Sequence, residues 1–183
     1  MKKLTYEELL EERKTIEEAK SSSRHPISII VDNVRSIYNV GSIFRTSDSA
    51  AVSKLYLCGL TPHPPREEIS KTALDAEKTV PWQYFENTTD AVLHAKKEGN
   101  TVIALELTDK HRSYTTLQKT EFPLTIVVGN ELTGIDSDVL SLCDDAVEIP
   151  MHGVKHSLNV SVSTGIVLFE ALNKYLDYFS EEL

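Results

Sequence analysis

Residues 126–172 read IVVGNELTGIDSDVLSLCDDAVEIPMHGVKHSLNVSVSTGIVLFEAL. Two short β-branched runs, Leu124–Val128 and Ala146–Ile149, stop abruptly at Gly129-Asn130-Glu131 and at Pro150-Met151. An apolar run that ends so sharply is the pattern of a buried strand emerging at one rim of a sheet. In open α/β sheets the loops at the carboxyl ends of the strands are where ligands bind. A third loop, His152–Ser157, leads into a long apolar helix expected from about Leu158 to Phe179. Its first turn, Ser157-Leu158-Asn159, is rich in groups that hydrogen-bond free backbone amides. Three loops on one rim make a candidate pocket.

The same alternation extends toward the N-terminus. Ile27–Val31, Lys54–Cys58 and Thr101–Leu105 are expected as buried strands, and Thr79–Phe85 as an edge or irregular strand because of Pro81. Helices are expected at about Ser42–Ala51 and Ile69–Ala76, from Thr88 or Thr89 to Gly99-Asn100, and at Asp136–Leu142. Strand and helix in turn imply an α/β fold, a mostly parallel sheet with helices on both faces. Leu4–Lys20 has the pattern of one amphipathic helix. Thr5 and Glu8 form a capping box, Leu4 and Leu9 are placed as a staple, and Glu7, Glu8, Glu11 and Glu12 suit the positive helix start. This gives two parts: an N-terminal helical extension over residues 1–24 and a main domain over residues 25–183.

At 183 residues the chain is most simply one domain with room for a sizeable core. No apolar run approaches the length of a membrane span, and the start has no secretory pattern. Cys58 and Cys143 lie far apart, each after an apolar stretch, and are expected as core thiols in a reducing, cytoplasmic compartment. The formal net charge of −9 argues against non-specific coating of nucleic acid but leaves room for a local basic patch. His63, Arg66, Lys71 and Lys78 make one loop region locally basic. The loop after Thr101–Leu105 carries His111, Arg112, Ser113 and Tyr114, groups able to touch phosphate or base.

Familiar catalytic signatures are missing. Gly129–Gly134 is not a dinucleotide fingerprint, no phosphate-binding GxxxxGK[ST] occurs, and no GxSxG nucleophile elbow is present. The histidines show no metal-ligand spacing, and no metal is expected. What remains is a pocket of backbone amides, Asn and Ser side chains, one Glu and one Arg. Such a set can hold a polar adenosyl ligand and position a hydroxyl, but it offers no covalent nucleophile.

Three stretches together carry a resemblance: Asn33–Ala50 (NVRSIYNVGSIFRTSDSA), Ile126–Gly134 (IVVGNELTG) and Ile149–Glu170 (IPMHGVKHSLNVSVSTGIVLFE), with Lys71–Trp82 (KTALDAEKTVPW) as a fourth familial piece. In this order and spacing they resemble the SpoU (TrmH-type) RNA ribose methyltransferases of the SPOUT superfamily. The resemblance implies transfer of a methyl group from S-adenosylmethionine to a ribose 2′-hydroxyl in tRNA or rRNA. It also implies a trefoil knot at the C-terminal end and a homodimer. The homodimer fits the last helix, whose Val162, Ile166, Phe169, Leu172 and Leu176 cover more than one apolar stripe and are expected to pair with another subunit. By the same resemblance Arg45 corresponds to the catalytic arginine, Asn39 to the first-motif asparagine and Glu131 to the second-motif glutamate. Ser157 and Asn159 correspond to the polar pair of the third motif. Leu105, Gly129, Ile149, Met151 and Leu158 fall at positions that line the adenosyl pocket. Asp75 is a departure, because relatives often have glycine there, and its charge disfavours RNA contact. Two alternatives stay open: an RNA base methyltransferase of the same superfamily, and a non-catalytic RNA-binding module.

Overall fold

The computed structural model describes residues 1–11 and 13–180; Glu12, placed above with the acidic helix start, lies outside the described residues. Its elements run α1 (Tyr6–Glu11), α2 (Ile16–Ser21), β1 (His25–Asp32), α3 (Ile37–Ser49), β2 (Val52–Cys58), α4 (Glu67–Ala73), α5 (Ala76–Thr79) and β3 (Trp82–Phe85). They continue through α6 (Thr88–Lys97), β4 (Thr101–Leu105), β5 (Arg112–Ser113), β6 (Leu124–Val128), α7 (Ser137–Leu142), β7 (Asp145–Glu148) and α8 (Val160–Phe179). The strands form one sheet in the order β3-β2-β1-β6-β4-β7-β5, and every ladder between them is parallel.

Parallel strands buried on both faces need near-continuous apolar runs. LTIVV of β6 is buried along its whole length, and TVIAL of β4 through its three central residues. The side chains of alternate residues divide between two cores. Ile29, Val31, Ile103, Ile126 and Val128 pack with residues of α3, α4 and α8 on one face. Ile30, Val102, Ala104 and Val127 pack with residues of α6 and α7 on the other. Helices thus cover both faces, as expected, and Trp82 packs against the first core from the sheet edge. Both cysteines are free; burial pushes the Cys58 thiol up to about 12 and the Cys143 thiol up to about 11.

Several expectations need correction. Leu4–Lys20 is two helices, because Thr15 and Glu18 form a second capping box that restarts the chain at Ile16. The first box is present as expected: Thr5 N–H donates to Glu8 at 2.7 Å, and Glu8 N–H to Thr5 Oγ1 at 3.3 Å. Leu4 and Leu9, by contrast, are both exposed. The helix expected from Ser42 begins at Ile37, since Ser36 is its N-cap and accepts from Asn39 N–H. The last helix begins at Val160 rather than Leu158, with Asn159 as its cap.

The helix expected over Ile69–Ala76 is interrupted by Leu74 and Asp75, which have φ of 54° and 73°. A residue at positive φ is tolerated most easily as glycine, then Asn or Asp. Asp75 is among the residue types that tolerate this conformation, and its charge is offset by Lys78 at 2.6 Å.

Candidate active site

At the carboxyl ends of β1, β6, β4 and β7 the chain must leave the sheet, and these exits are organised by hydrogen bonds to carboxylates. Asp32, buried at the end of β1, accepts from Thr88 Oγ1 at 2.5 Å and Asp136 N–H at 3.3 Å, tying the starts of α6 and α7 together. Asn130, after β6, donates from Nδ2 to the Asn33 carbonyl at 2.7 Å. Its Oδ1 accepts from the N–H groups of Leu132 and Thr133. The loop after β6 is therefore a hydrogen-bonded turn locked onto the loop after β1.

Glu131 sits on the N-terminus of α3. Its carboxylate accepts from Arg35 N–H at 3.0 Å, Ser36 N–H at 3.1 Å and Asn39 Nδ2 at 2.9 Å. Partial burial raises its pKa, but these donors together outweigh that effect and hold the carboxyl below its ordinary value. Free amides at a helix start are a ready anion site, and here the chain fills it with its own carboxylate. Asn39 passes the connection on: its Oδ1 accepts from Asn159 Nδ2 at 3.1 Å. Asn159 in turn caps α8, with Oδ1 accepting from Ser161 N–H at 2.9 Å. Glu131, Asn39 and Asn159 thus join the β6 loop, α3 and α8.

Beside this relay lies a cavity of about 440 Å³, lined by the loops after β4, β6 and β7 and by the approach to α8. Its size falls within the roughly 300–1,000 Å³ of ordinary small-molecule sites. Leu105, Gly129, Ile149, Met151 and Leu158 all line it, as do Glu131, Ser157 and Asn159. A Cβ at Gly129 would run into the Gly134 backbone and stand 2.5 Å from Ile135 N, so only glycine lets the loop fold back here. Its walls mix apolar side chains such as Leu105, Ile149, Met151 and Leu158 with polar ones such as Glu106, Glu131, Ser157 and Asn159, a combination that suits an adenosyl ligand.

Asn39 does not line this cavity but reaches it through Glu131 and Asn159. Arg45 lies further along α3, exposed, outside the cavity lining, and its guanidinium makes no hydrogen bond or ion pair among the described residues. A cation left unpartnered on the same helix as Asn39 remains available to an anionic ligand.

In the loop whose His111, Arg112, Ser113 and Tyr114 are able to touch phosphate or base, several of these side chains have protein partners. The Arg112 guanidinium bonds Asp145 at 2.7 Å, Thr116 at 2.9 Å and Glu121, which pins the unanticipated strand β5 beside β7. His111 is held by Glu148 and by the Thr108 carbonyl, and Tyr114 packs against the core. Lys71 is paired with Glu67 at 2.9 Å and Lys78 with Asp75, so the local basic patch is partly neutralised. Glu106 was not singled out from the sequence, yet it lines the cavity at the end of β4. The only signal for it was an acid directly after the apolar run TVIAL.

A parallel α/β sheet with a small-molecule cavity at its carboxyl rim defines a ligand-binding, enzyme-like domain. The chain belongs to the SpoU rRNA Methylase family, whose model matches residues 26–169. It is 32% identical over 165 residues to the tRNA (guanosine(18)-2′-O)-methyltransferase of Aquifex aeolicus, covering 89% of this chain and 77% of that protein. It is 33% identical over 151 residues to the 23S rRNA (guanosine-2′-O-)-methyltransferase RlmB of Vibrio vulnificus, covering 82% of this chain and 60% of that protein.

Among solved structures, the A. aeolicus TrmH/SpoU tRNA modifying enzyme superposes with a TM-score of 0.78 at 28% identity, over 89% of this chain and 82% of that one. The AdoMet-bound rRNA methyltransferase from Sinorhizobium meliloti superposes with a TM-score of 0.74 at 28% identity, over 81% of this chain and 58% of that one.

Proposed function

We propose that this chain is an S-adenosylmethionine-dependent methyltransferase acting on a ribose 2′-hydroxyl in tRNA or rRNA. The observation that carries this function is the cavity at the sheet rim. All five positions expected around an adenosyl ligand line it, and the Glu131–Asn39–Asn159 relay borders it. When bound, S-adenosylmethionine supplies an electrophilic methyl group on a sulfonium.

Leu105, Gly129, Ile149, Met151 and Leu158 hold the cofactor. Ser157 and Asn159 present hydroxyl and amide groups to the ribose, while Glu131 and Asn39 fix α3 against the cofactor loops. Methyl transfer needs the acceptor oxygen in line with the methyl carbon, so fixed geometry supplies much of the acceleration. A guanidinium stays charged near neutral pH, which makes Arg45 a poor base. Arg45 instead orients the ribose and its phosphate and stabilises charge developing on the attacking oxygen.

The same proposal includes a trefoil knot, in which the chain after β7 passes through a loop before α8 packs back on β1 and β6. The division at residue 24 is supported by the separate helices α1 and α2, neither of which buries a residue. A homodimer through α8 is supported by its exposed apolar side chains, Val162 (51% exposed), Ile166, Phe169 (41%) and Leu176. Among the described residues no helix is long and apolar enough to cross a membrane, and we place the protein in the cytoplasm.

Mapping 2′-O-methyl positions in total RNA from cells with and without the gene tests the proposal. Loss of a mark from one tRNA or rRNA ribose supports it. An unchanged 2′-O-methyl map with a lost base methylation would replace it with base chemistry.

A further inference from the structure

We infer that Glu106 is a cofactor-positioning residue whose carboxylate binds the ribose diol of the adenosyl group; this rests on the cofactor site proposed above. Glu106 directly follows β4, which lies between β6 and β7, so its side chain enters the cavity between the two loops that form the cavity walls. Its orientation is fixed from both sides. Oε1 accepts from Leu107 N–H at 2.9 Å, and Oε2 accepts from Ile135 N–H at 3.0 Å. Gly134 is held so closely that a Cβ there would run into Oε2, and its φ of +70° suits glycine for the same turn. The carboxylate is therefore clamped between two loops, and among the described residues no Lys or Arg pairs with it.

An ionised carboxylate has about four lone-pair sites, and two backbone donors leave the others unused. What lines the cavity around them includes Glu131 and Glu148 but no Lys or Arg. A ligand meeting Glu106 must therefore bring donors of its own. Vicinal hydroxyls match a fixed two-oxygen acceptor, and an acid at the end of a parallel strand meets a ribose hydroxyl in this way in dinucleotide-binding sheets. The ligand's ammonium is the competing donor, and the test separates the two.

The probes are 5′-deoxy-5′-methylthioadenosine, which has the diol but no amino-acid chain, and its 2′,3′-dideoxy analogue, with affinities measured by calorimetry on the full chain. Wild type should bind the ribo form at least about tenfold more tightly than the dideoxy form, the worth of roughly one charge-assisted bond. In Glu106→Gln and Glu106→Asp, each first shown by thermal unfolding to be folded, that ratio should shrink to within about threefold. A ratio unchanged in either folded variant overturns the inference and leaves Glu106 a loop clamp. So does a wild type indifferent to the hydroxyls. Binding of S-adenosylmethionine to wild type is measured in parallel. If it binds while the hydroxyl ratio is flat, only the role of Glu106 fails; if neither it nor the probe binds, the cofactor site itself fails.

Discussion

Asn159 Nδ2 donates to Asn39 Oδ1 at 3.1 Å, joining two residues 120 positions apart in the chain. One caps α8 and the other sits in the first turn of α3, so this bond couples the two helix starts that flank the cavity. Asn39→Ala and Asn159→Ala should each lower methyl transfer. In a double-mutant cycle on stability, the pair should show a coupling of about 0.5–1.5 kcal/mol, as for a neutral hydrogen bond. Strict additivity would mean the two amides do not act on each other.

Glu131 carries a pH signature. Its folded-state pKa lies below the ordinary value, because the Arg35, Asn39 and Ser36 donors outweigh the cost of burial. The stability it contributes is thus fully present above the unfolded pKa of about 4.3 and lost as pH falls through the folded value. Thermal unfolding followed from neutral pH downward should show Glu131→Gln less stable than wild type near pH 7. The gap should narrow in acid, where the wild-type carboxylate takes up its proton.

Much of this fold was legible in local sequence. TVIAL and LTIVV coincide with β4 and β6 to the residue, since each run is apolar to its end and is then broken by polar or glycine residues. The place of the cavity at the sheet rim followed from where those runs stop, while its individual lining positions came from the family resemblance. Less legible were features set by partners far away. Nothing near Glu131 announces that its carboxylate belongs to a helix 92 residues earlier. Ser36 is an ordinary turn residue until that helix forms behind it. Thr15–Glu18 was hidden inside an unbroken helical periodicity, and the bond that ties Arg112 to Asp145 spans 33 residues.

Gly129 tests the packing of the cofactor loop. Gly129→Ala places a methyl group against the Gly134–Ile135 backbone, which has no flexible side chain to yield. Overpacking of this kind costs about 1–3 kcal/mol. Calorimetric titration should show weakened S-adenosylmethionine binding, and chemical denaturation a matching loss of stability.

Arg112 separates a structural cation from an RNA contact. Arg112→Ala removes bonds to Asp145, Thr116 and Glu121, and the loss, discounted for partial exposure, should be about 1–3 kcal/mol. RNA affinity of the folded variant, measured by filter binding, should stay within about twofold of wild type, because its guanidinium faces protein partners.

The central claim is that Arg45 acts on the RNA ribose and not on the cofactor. The direct measurement is single-turnover methyl transfer from labelled S-adenosylmethionine to RNA by Arg45→Ala, alongside its cofactor affinity. Loss of a positioned cationic donor to developing charge predicts a fall of at least about 100-fold in the transfer rate, with cofactor affinity unchanged. Transfer at the wild-type rate by the variant would contradict the account.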